Sequence, residues 1–169
     1  MATDKKVTIR TANVSDCILI GTVHCQAWIE TYTGLLPKEY LATRSREKSI
    51  AIFQDSQCQN LVVTEIGKTI VGFCGWGNFR STSDAEYMGE IQGIYLLKAH
   101  QRKQYGRMML NHALQQLKRC GYRKVGLWVL SSNESARRFY EKMWFSYANI
   151  NKSADLGAIV TELLYTKDI

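Results

Sequence analysis

A concentrated block of positive charge lies between Glu90 and Glu134, a stretch in which the sequence contains no acidic residue. Of the 22 lysines and arginines in the chain, eight fall within it, which leaves 14 basic residues elsewhere against 15 acidic ones. The whole positive excess of +7 is therefore local. Such a segment attracts phosphate groups, either of a nucleic acid or of a phosphorylated small molecule. The eight residues are Lys98, Arg102, Lys103, Arg107, Lys118, Arg119, Arg123 and Lys124.

The stretch Gln101–Arg107 combines this charge with the start of a helix. The backbone N–H groups of a first helical turn have no partner within the helix and attract anions, so this stretch predicts a diphosphate-binding loop. It contains neither a Walker motif nor the three spaced glycines of a dinucleotide fingerprint, which excludes nucleotide hydrolysis and hydride transfer by those motifs. The second group of charges, 118–124, falls at the end of the same helix, where cations complement the helix dipole.

The elements around this loop follow the order strand, loop, helix, strand, helix, strand. Tyr87–Leu97 reads as a strand before the loop, Leu110, Ala113, Leu114 and Leu117 form a helical stripe after it, and Lys124–Leu130 is a strand of buried type. A helix capped by Asn133 or Ser135 follows, with Ala136, Phe139, Tyr140 and Met143 on one face. Phe145–Ile150 and Ile159–Thr166 are predicted strands, and Asn151–Gly157 is predicted to be a polar loop between them.

The first half of the chain predicts a strand, helices and a hairpin. Val7–Thr11 is a short strand, and Ile20, Val23 and Ala27 recur on one face of the helix that follows. Lys38–Gln54 reads as one or two short helices. Asn60–Ile66 and Thr69–Trp76 are strands joined by a tight turn, and a polar turn is expected around Arg80–Asp84.

Length and composition narrow the class of protein. A chain of 169 residues with 46% apolar side chains can build a core without disulfides or metal. The five cysteines form no C-x-x-C pair, so we expect reduced core thiols, and the three histidines have no ligand spacing, so we expect no metal. No apolar run approaches the roughly 20 residues of a membrane helix, and the opening residues lack the apolar core of a signal peptide. We therefore expect a cytoplasmic protein that does not bind membranes.

Two segments resemble the GNAT superfamily of acetyl-coenzyme A dependent N-acetyltransferases. Gln101–Gly106 is similar to that family's diphosphate motif, Gln/Arg-x-x-Gly-x-Gly/Ala, with Gln104 where the first glycine is usual. Leu127–Phe145 resembles the family's succession of strand, Asn, Ala, Phe-Tyr and Lys, with Trp144 where a glycine is usual. The opening of the chain also looks like members of this family, so the resemblance covers nearly all of it.

The resemblance implies a fold and a way of holding the cofactor. The expected fold is a single α/β domain over residues 1–169, with a central mixed, mostly antiparallel sheet of six to seven strands and helices on both faces. Acetyl-coenzyme A would lie where the middle strands splay apart. The residues expected to contact it are Ile94, Tyr95, Leu96, Gln101, Arg102, Lys103, Gln104, Tyr105, Gly106, Arg107 and Asn133.

The resemblance also implies roles in transfer of an acetyl group to an amine. Backbone N–H groups around Ile94–Leu96 would polarise the thioester carbonyl, and Asn133 would contact the pantetheine arm. Glu90 would remove a proton from the amine directly or through water, and Tyr140 would protonate the leaving thiolate. The alternative for Glu90 is a structural carboxylate paired with a surface lysine or arginine. Transfer would be direct, within a ternary complex.

The acceptor is the least determined part of this interpretation. Trp28, Tyr32 and Tyr40 fall in the region that lines the acceptor site in the family and could hold an amine, although core packing is the alternative for at least one of them. The acceptor is a small-molecule or peptide amine of unidentified structure. Family members often form homodimers, which the sequence neither requires nor excludes.

Two other functions remain open at this stage. A coenzyme A-binding regulator that has lost catalysis is the first, because Gln104 and Trp144 both replace glycines of the family pattern. A nucleic-acid-binding module is the second, and it is disfavoured because Tyr95, Tyr105 and Tyr122 are isolated and form no stacking platform.

Overall fold

The computed structural model describes residues 6–80 and 88–169, and within them seven strands form a single sheet. The strand order is β1-β2-β3-β4-β5-β7-β6. Fold class and strand number therefore agree with the sequence prediction of a mixed sheet of six to seven strands. The strands are β1 (Val7–Thr11), β2 (Leu61–Ile66), β3 (Thr69–Asn78), β4 (Met88–Leu96), β5 (Lys124–Leu130), β6 (Ser146–Asp155) and β7 (Ile159–Asp168).

Most neighbouring strands run antiparallel. β1 with β2, β2 with β3, β5 with β7 and β6 with β7 pair in this way. The hydrogen bonds from Leu97 N–H to the Val71 carbonyl and from Phe79 N–H to the Met88 carbonyl show the same direction for β3 and β4. Among the described strands, β4 and β5 form the one parallel pair, and they are joined through a helix as a parallel connection requires.

Five α-helices and two short 3₁₀ turns connect these strands in the described ranges. The apolar stripe predicted after the charged loop lies on the fourth helix, where Leu110, Ala113 and Leu117 are fully buried. The helices are α1 (Cys17–Tyr32), α2 (Lys38–Leu41), α3 (Arg46–Asp55), α4 (Tyr105–Arg119) and α5 (Glu134–Lys142), and the 3₁₀ turns are Val14–Asp16 and Lys98–His100.

Contacts between Cα atoms divide the chain into two compact units. The first contains Met1–Thr31, Arg44–Gly75 and Ile94–Ala113, and the second contains Tyr32–Thr43, Trp76–Gly93 and Leu114–Ile169. Each is described by itself below. The assignment of residues 1–169 to one domain stays a prediction.

The core of the first unit corrects the expectation for the cysteines. Cys17, at the start of α1, and Cys58, after α3, are joined as a disulfide with their Cα atoms 5.7 Å apart. Both belong to the buried cluster that includes Ile20, Phe53 and Phe73. The prediction that all cysteines are reduced core thiols is therefore wrong for this pair. The pairing was invisible in the sequence because 41 positions separate the two residues.

An ion-pair network fixes the start of α1 to the sheet of the first unit. The guanidinium of Arg10 on β1 donates to Asp16 at 2.7 and 3.0 Å and to Glu65 on β2 at 2.8 Å. Asp16 also accepts from the backbone N–H of Asn13, whose side chain caps the following turn. The hydrogen bond from Arg10 holds the pKa of the Asp16 carboxyl below its usual value.

His24 on α1 lies among aromatic rings of the first unit. Its ring contacts Phe53, Phe73 and Tyr95 edge-on, with centroids 5.2, 5.8 and 5.1 Å away. Burial disfavours the charged imidazolium and, with the positive charge of Arg44, lowers the pKa of His24 from 6.5 to about 4. His24 is therefore neutral at pH 7.

This lowered pKa predicts acid-sensitive stability. Between pH 6.5 and 4, His24 is protonated in the unfolded chain but not in the folded chain. The free energy of unfolding therefore falls as the pH falls through this window. The upper limit of the loss is about 3 kcal/mol. Urea unfolding of the protein and of His24→Phe, measured from pH 4 to 8, checks it. The parent should lose stability relative to the variant below pH 6.5, and parallel profiles would contradict the prediction.

The last two strands differ from the prediction at their boundaries. β6 extends to Asp155 and β7 to Asp168, so most of the segment predicted as a polar loop over Asn151–Gly157 is in fact strand. Asn151 pairs with Leu163 and Asp155 with Ile159 across the hairpin. A polar, mostly exposed edge strand lacks the apolar alternation that marks a strand in sequence, which explains the error. Tyr87 and most of the turn predicted around 80–84 lie outside the described residues.

Candidate active site

Glu90 lies on β4 in the second unit with its side chain buried, only 6% exposed. Three donors of Arg80 hold its carboxylate, each at 3.1 Å: the backbone N–H and Nε donate to Oε2, and Nη2 donates to Oε1. Hydrogen bonding to Glu90 raises the pKa of Arg80 above its usual value. The side chain of Arg80 is 66% exposed, so the pair presents a guanidinium to solvent above a buried carboxylate.

The parallel ladder between β4 and β5 stops at Glu90. Within the described strands it covers three residue pairs, ending with Glu90 opposite Gly126. Beyond that point β5 continues along β7, with Trp128 opposite Leu164 and Leu130 opposite Glu162. The two middle strands therefore part directly after the buried carboxylate.

In the first unit, the predicted diphosphate loop leads into α4. The side chain of Gln101 donates from Nε2 to the Leu96 carbonyl at 3.1 Å, tying the loop to the end of β4. Residues 101–104 are exposed, and the helix begins at Tyr105, within the stretch that the sequence predicted to lead into a helix. The N–H groups of Tyr105, Gly106 and Arg107 belong to the first turn, where a helix offers no carbonyl partner.

Backbone conformation in this loop bears on the missing glycine. Gln104 has φ of 64° and Arg102 has φ of 61°, both in the left-handed region that favours glycine. The conformation required at position 104 is therefore one that a glycine adopts without strain. Gln104 adopts it in spite of its Cβ.

The second glycine replacement, Trp144, shows the same property at the end of α5. Trp144 has φ of 65° and is 83% exposed. Its N–H donates to the Glu141 carbonyl, and the N–H of Phe145 donates to the Tyr140 carbonyl, which together form a Schellman motif. The residue in the left-handed position of this motif is usually glycine, because a Cβ there costs about 1–2 kcal/mol.

Trp144→Gly is accordingly expected to stabilise the protein. Relief of the left-handed strain exceeds the entropy that a glycine adds to the unfolded chain, so the free energy of unfolding should rise by about 1 kcal/mol. Trp144→Ala is the matched control, because alanine removes the indole and keeps the Cβ. Urea unfolding should show a gain for glycine alone. Equal effects of the two substitutions would contradict the explanation.

The other predicted residues of the second unit lie on α5. The Asn133 side chain caps this helix by accepting from the Ala136 N–H at 3.2 Å. Tyr140 is buried, 7% exposed, with its ring 5.4 Å from Phe139 and 6.0 Å from Phe145. Asn133 therefore has a structural role as the cap of α5. The ring of Tyr140 is fixed by its packing against Phe139 and Phe145.

The sequence interpretation overlooked a polar network between α5 and β7. Arg137 donates from Nε to the hydroxyl of buried Tyr165 at 3.2 Å and from Nη1 to the Ser131 carbonyl at 3.0 Å. The Tyr165 hydroxyl in turn donates to Glu141 at 3.0 Å. Arg137 and Glu141 are four positions apart on one helix face, which was the available signal.

Two of the predicted acceptor residues have different surroundings. Trp28, in the first unit, is 7% exposed, and the guanidinium carbon of Arg44 lies 4.2 Å from its ring centroid. One face of this indole is therefore covered by a cation of the protein itself. Tyr32 ends α1 and is half-buried.

Other kinds of site find little support in the described residues. No group of three or more histidine, cysteine or acidic side chains in 6–80 and 88–169 is arranged to hold a metal ion. Burial raises the pKa of the Cys74 thiol to about 12, so it remains protonated at neutral pH and is a poor nucleophile. No helix in the described part of the chain is long and apolar enough to cross a membrane.

Solved structures share this fold. The structure of YncA, an acetyltransferase from Salmonella typhimurium with its cofactor acetyl-CoA, matches with a TM-score of 0.73 and 21% identity, covering 96% of this chain and 93% of that one. At 21% identity, this similarity shows that the two proteins share a fold.

Curated relatives match at higher identity. An uncharacterized N-acetyltransferase of Bacillus subtilis, YuaI, is 30% identical over 76% of this chain and 75% of its own length. The L-methionine sulfoximine/L-methionine sulfone acetyltransferase of Salmonella typhimurium is 25% identical over 83% of this chain and 80% of its own. The model of the acetyltransferase (GNAT) family matches residues 25–145. The chain belongs to the acetyltransferase (GNAT) family and is an acyltransferase.

Proposed function

We propose that this protein transfers the acetyl group of acetyl-coenzyme A directly to the α-amine of an amino acid or a close analogue, within a ternary complex. The observation that carries the proposal is the pair of Glu90 and Arg80, a buried carboxylate below a largely exposed guanidinium. A zwitterionic amino acid offers the complementary charges a few ångströms apart. A relative that acetylates methionine sulfoximine and methionine sulfone supports an acceptor of this class.

The cofactor would be held by the loop before α4. The N–H groups of Tyr105, Gly106 and Arg107 would donate to its diphosphate, and Arg102 and Lys103 would add charge. At the end of β4, before this loop, backbone N–H groups of Ile94–Leu96 would donate to the thioester oxygen as negative charge develops on it. Acetyl-coenzyme A supplies the activated acetyl group, and the protein supplies position and donors.

Glu90 would act as the base. An alkyl amine is mostly protonated at pH 7 and must lose a proton before or as it attacks. A carboxylate has about four acceptor positions, and Arg80 occupies three of those of Glu90. The fourth, on Oε1, receives no donor from residues 6–80 and 88–169 and would accept from the amine or from a water that relays its proton.

Arg80 would bind the carboxylate of the acceptor. Its guanidinium has five N–H donors, and among the described residues Glu90 uses two of them, so the other donors would bind a second carboxylate. Arg80 would thereby bring the amine of the same molecule next to Glu90. This arrangement predicts a preference for amines that carry an α-carboxylate.

Tyr140 would protonate the leaving thiolate, and Asn133 would contact the pantetheine arm. The thiol of coenzyme A resembles that of cysteine, with a pKa of about 8.5. Its thiolate leaves more readily when a weak acid donates a proton to it. Direct transfer follows from the resemblance to the family, and the buried thiol of Cys74 supports it by being a poor acceptor for an acetyl group.

The proposal is tested with matched amines. L-norvaline and butylamine differ only by the carboxylate, and free thiol released from acetyl-coenzyme A reports turnover. We expect a higher kcat/KM for L-norvaline, and we expect Arg80→Met to remove most of the difference. Equal rates with the two amines, or no thiol release with any amino acid, would contradict the assignment.

The second candidate function, a coenzyme A-binding regulator, is favoured by the two left-handed residues at family glycine positions, Gln104 and Trp144. It differs from the enzyme in one measurable way. A regulator would bind acetyl-coenzyme A and release no thiol with any amine of a broad panel.

Gln104→Gly is expected to tighten binding of acetyl-coenzyme A. Glycine accepts the observed φ of 64° without strain and removes the Cβ next to the phosphate position. A gain of about 1 kcal/mol corresponds to a dissociation constant about fivefold lower. Calorimetric titration measures it, with Gln104→Ala as the matched control. An unchanged or weaker constant for the glycine variant would contradict the prediction.

A further inference from the structure

One face of the sheet in the second unit carries Glu90 together with three polar residues from other strands. Glu90 lies opposite Gly126, and Trp128, two positions along β5, points to the same side. The register then places Glu162 and Lys152 on that side too, because Leu130 is opposite Glu162 and Glu162 is opposite Lys152. We call these four residues, Glu90, Trp128, Glu162 and Lys152, the Glu90 face.

Helices α4 and α5 pack on the opposite side of these strands. A Cβ at Gly89 would meet the Leu117 side chain of α4 at 2.6 Å, and Tyr165 bonds to Arg137 and Glu141 of α5. Gly89 and Tyr165 alternate with the residues of the Glu90 face along their strands. The side chains of the Glu90 face therefore point away from α4 and α5 and do not pack against these helices.

Trp128 is the unexplained member of the Glu90 face. Its indole nitrogen is buried, and no described residue accepts its N–H. A buried donor without an acceptor is costly, and in native proteins such a group calls for a specific explanation. A ligand oxygen is one acceptor that would satisfy it.

Lys152 adds a positive charge at the same place. Its ammonium lies 4.2 Å from the centroid of the Trp128 ring and 3.4 Å from a carboxylate oxygen of Glu162. Its side chain is 42% exposed, so a carboxylate from solvent can approach the ammonium, which it would share with Glu162. An N–H donor beside an ammonium favours an oxyanion over a neutral oxygen.

We propose that Trp128 and Lys152 form an oxyanion subsite that binds a side-chain carboxylate of the acceptor. The proposal rests on the proposed function. Two residues along a strand span about 6.6 Å and neighbouring strands lie about 4.8 Å apart, so the backbones of Glu90, opposite Gly126, and Trp128 are about 8 Å apart. In extended glutamate, five bonds join the amine nitrogen to a side-chain oxygen and span about 6 Å, a distance within reach of the two side chains. Acidic amino acids of this length are the preferred acceptors.

Binding at this subsite is measured without turnover. The chain contains four tryptophans, so the protein labelled with ¹⁵N-tryptophan gives four indole signals, and Trp128→Phe assigns one of them. Glutarate has two carboxylates and no amine to acetylate. It should shift the Trp128 signal saturably and leave that of Trp76, whose indole nitrogen is also buried without a described partner, in place. An unmoved Trp128 signal would overturn the subsite.

Charge dependence is tested with two lysine variants. Lys152→Met should raise the dissociation constant of glutarate, read from the Trp128 signal, about tenfold. Lys167→Met is the matched control, because Lys167 lies on the opposite side of β7, 5.9 Å from the Phe145 ring. Equal effects of the two variants would overturn the role of Lys152.

Kinetics separate this proposal from the proposed function. Trp128→Phe should lower kcat/KM for L-glutamate about tenfold and leave that for L-norvaline within about twofold. Turnover of L-norvaline with no advantage for L-glutamate, and no Trp128 shift, would overturn the subsite and leave the transferase intact. A Trp128 shift without acetylation of any amino acid would support the subsite and overturn the proposed function.

Discussion

Replacing Glu90 with glutamine is expected to lower kcat/KM for the preferred amine at pH 7 by about 10²- to 10³-fold. Glutamine has nearly the same shape but cannot take a proton from the acceptor. The loss should shrink as the pH approaches the pKa of the amine, because more acceptor is then already neutral. Steady-state rates of thiol release from pH 6.5 to 10 measure both effects.

The matched control is Glu65→Gln. Glu65 is also a strand glutamate paired with an arginine, Arg10, at 2.8 Å, but it lies on β2 in the first unit. Its substitution should leave kcat/KM within about twofold. Thermal melting of both variants separates loss of the base from loss of the fold. A folded Glu90→Gln variant with parental activity, or a loss that does not depend on pH, would contradict the assignment.

Tyr140→Phe is expected to lower kcat by about 10- to 100-fold with little change in KM for acetyl-coenzyme A. The variant loses only the hydroxyl and keeps the ring between Phe139 and Phe145. If the hydroxyl protonates the leaving thiolate, an acyl donor whose thiol is more acidic needs less help. Acetyl thioesters of thiols with graded pKa values should therefore show a steeper dependence of rate on leaving-group pKa in the variant.

Tyr147→Phe serves as the control for this substitution. Tyr147 is a tyrosine of β6 in the same unit, with its ring 6.1 Å from that of Tyr165. Its loss of a hydroxyl should not change the leaving-group dependence. Parallel dependences for the parent and Tyr140→Phe would show that Tyr140 is not the acid.

Local signals were enough to predict most elements of the fold. Gly67 and Lys68 marked the turn between β2 and β3, and Asn133 was one of the two caps, with Ser135, predicted for the start of α5. The apolar stripe of α4 followed from spacing alone, whereas its start at Tyr105 was predicted only to lie within the stretch 101–107. These predictions were correct because turns, helix caps and apolar periodicity depend on residues that are close together in the sequence.

Features that depend on pairing between distant residues were missed. The bond between Cys17 and Cys58 and the extension of β6 to Asp155 both require knowledge of which segments meet. The left-handed backbone at Trp144, in contrast, could be anticipated, because the resemblance placed a glycine there. Membership of the family and the enzyme class were confirmed by comparison with known proteins.

The same distinction between local signals and distant pairing applies to the residues of the candidate site. The anion-binding role of Gln101–Arg107 and the catalytic role of Glu90 were inferred from charge, order and resemblance, and both stay predictions. The partners Arg80 and Lys152 could not be identified, because each contacts a residue of another segment: Arg80, two residues after β3, bonds to Glu90 on β4. Lys152 on β6 lies across β7 from β5 and contacts the ring of Trp128. A sequence lists residues along a strand but not those beside it.

The most direct test of the account is a crystal structure of the protein with acetyl-coenzyme A. The account predicts that the diphosphate oxygens lie within hydrogen-bond distance, about 2.7–3.2 Å, of the backbone nitrogens of Tyr105, Gly106 and Arg107. A diphosphate located elsewhere on the protein, or no binding at millimolar acetyl-coenzyme A, would contradict it.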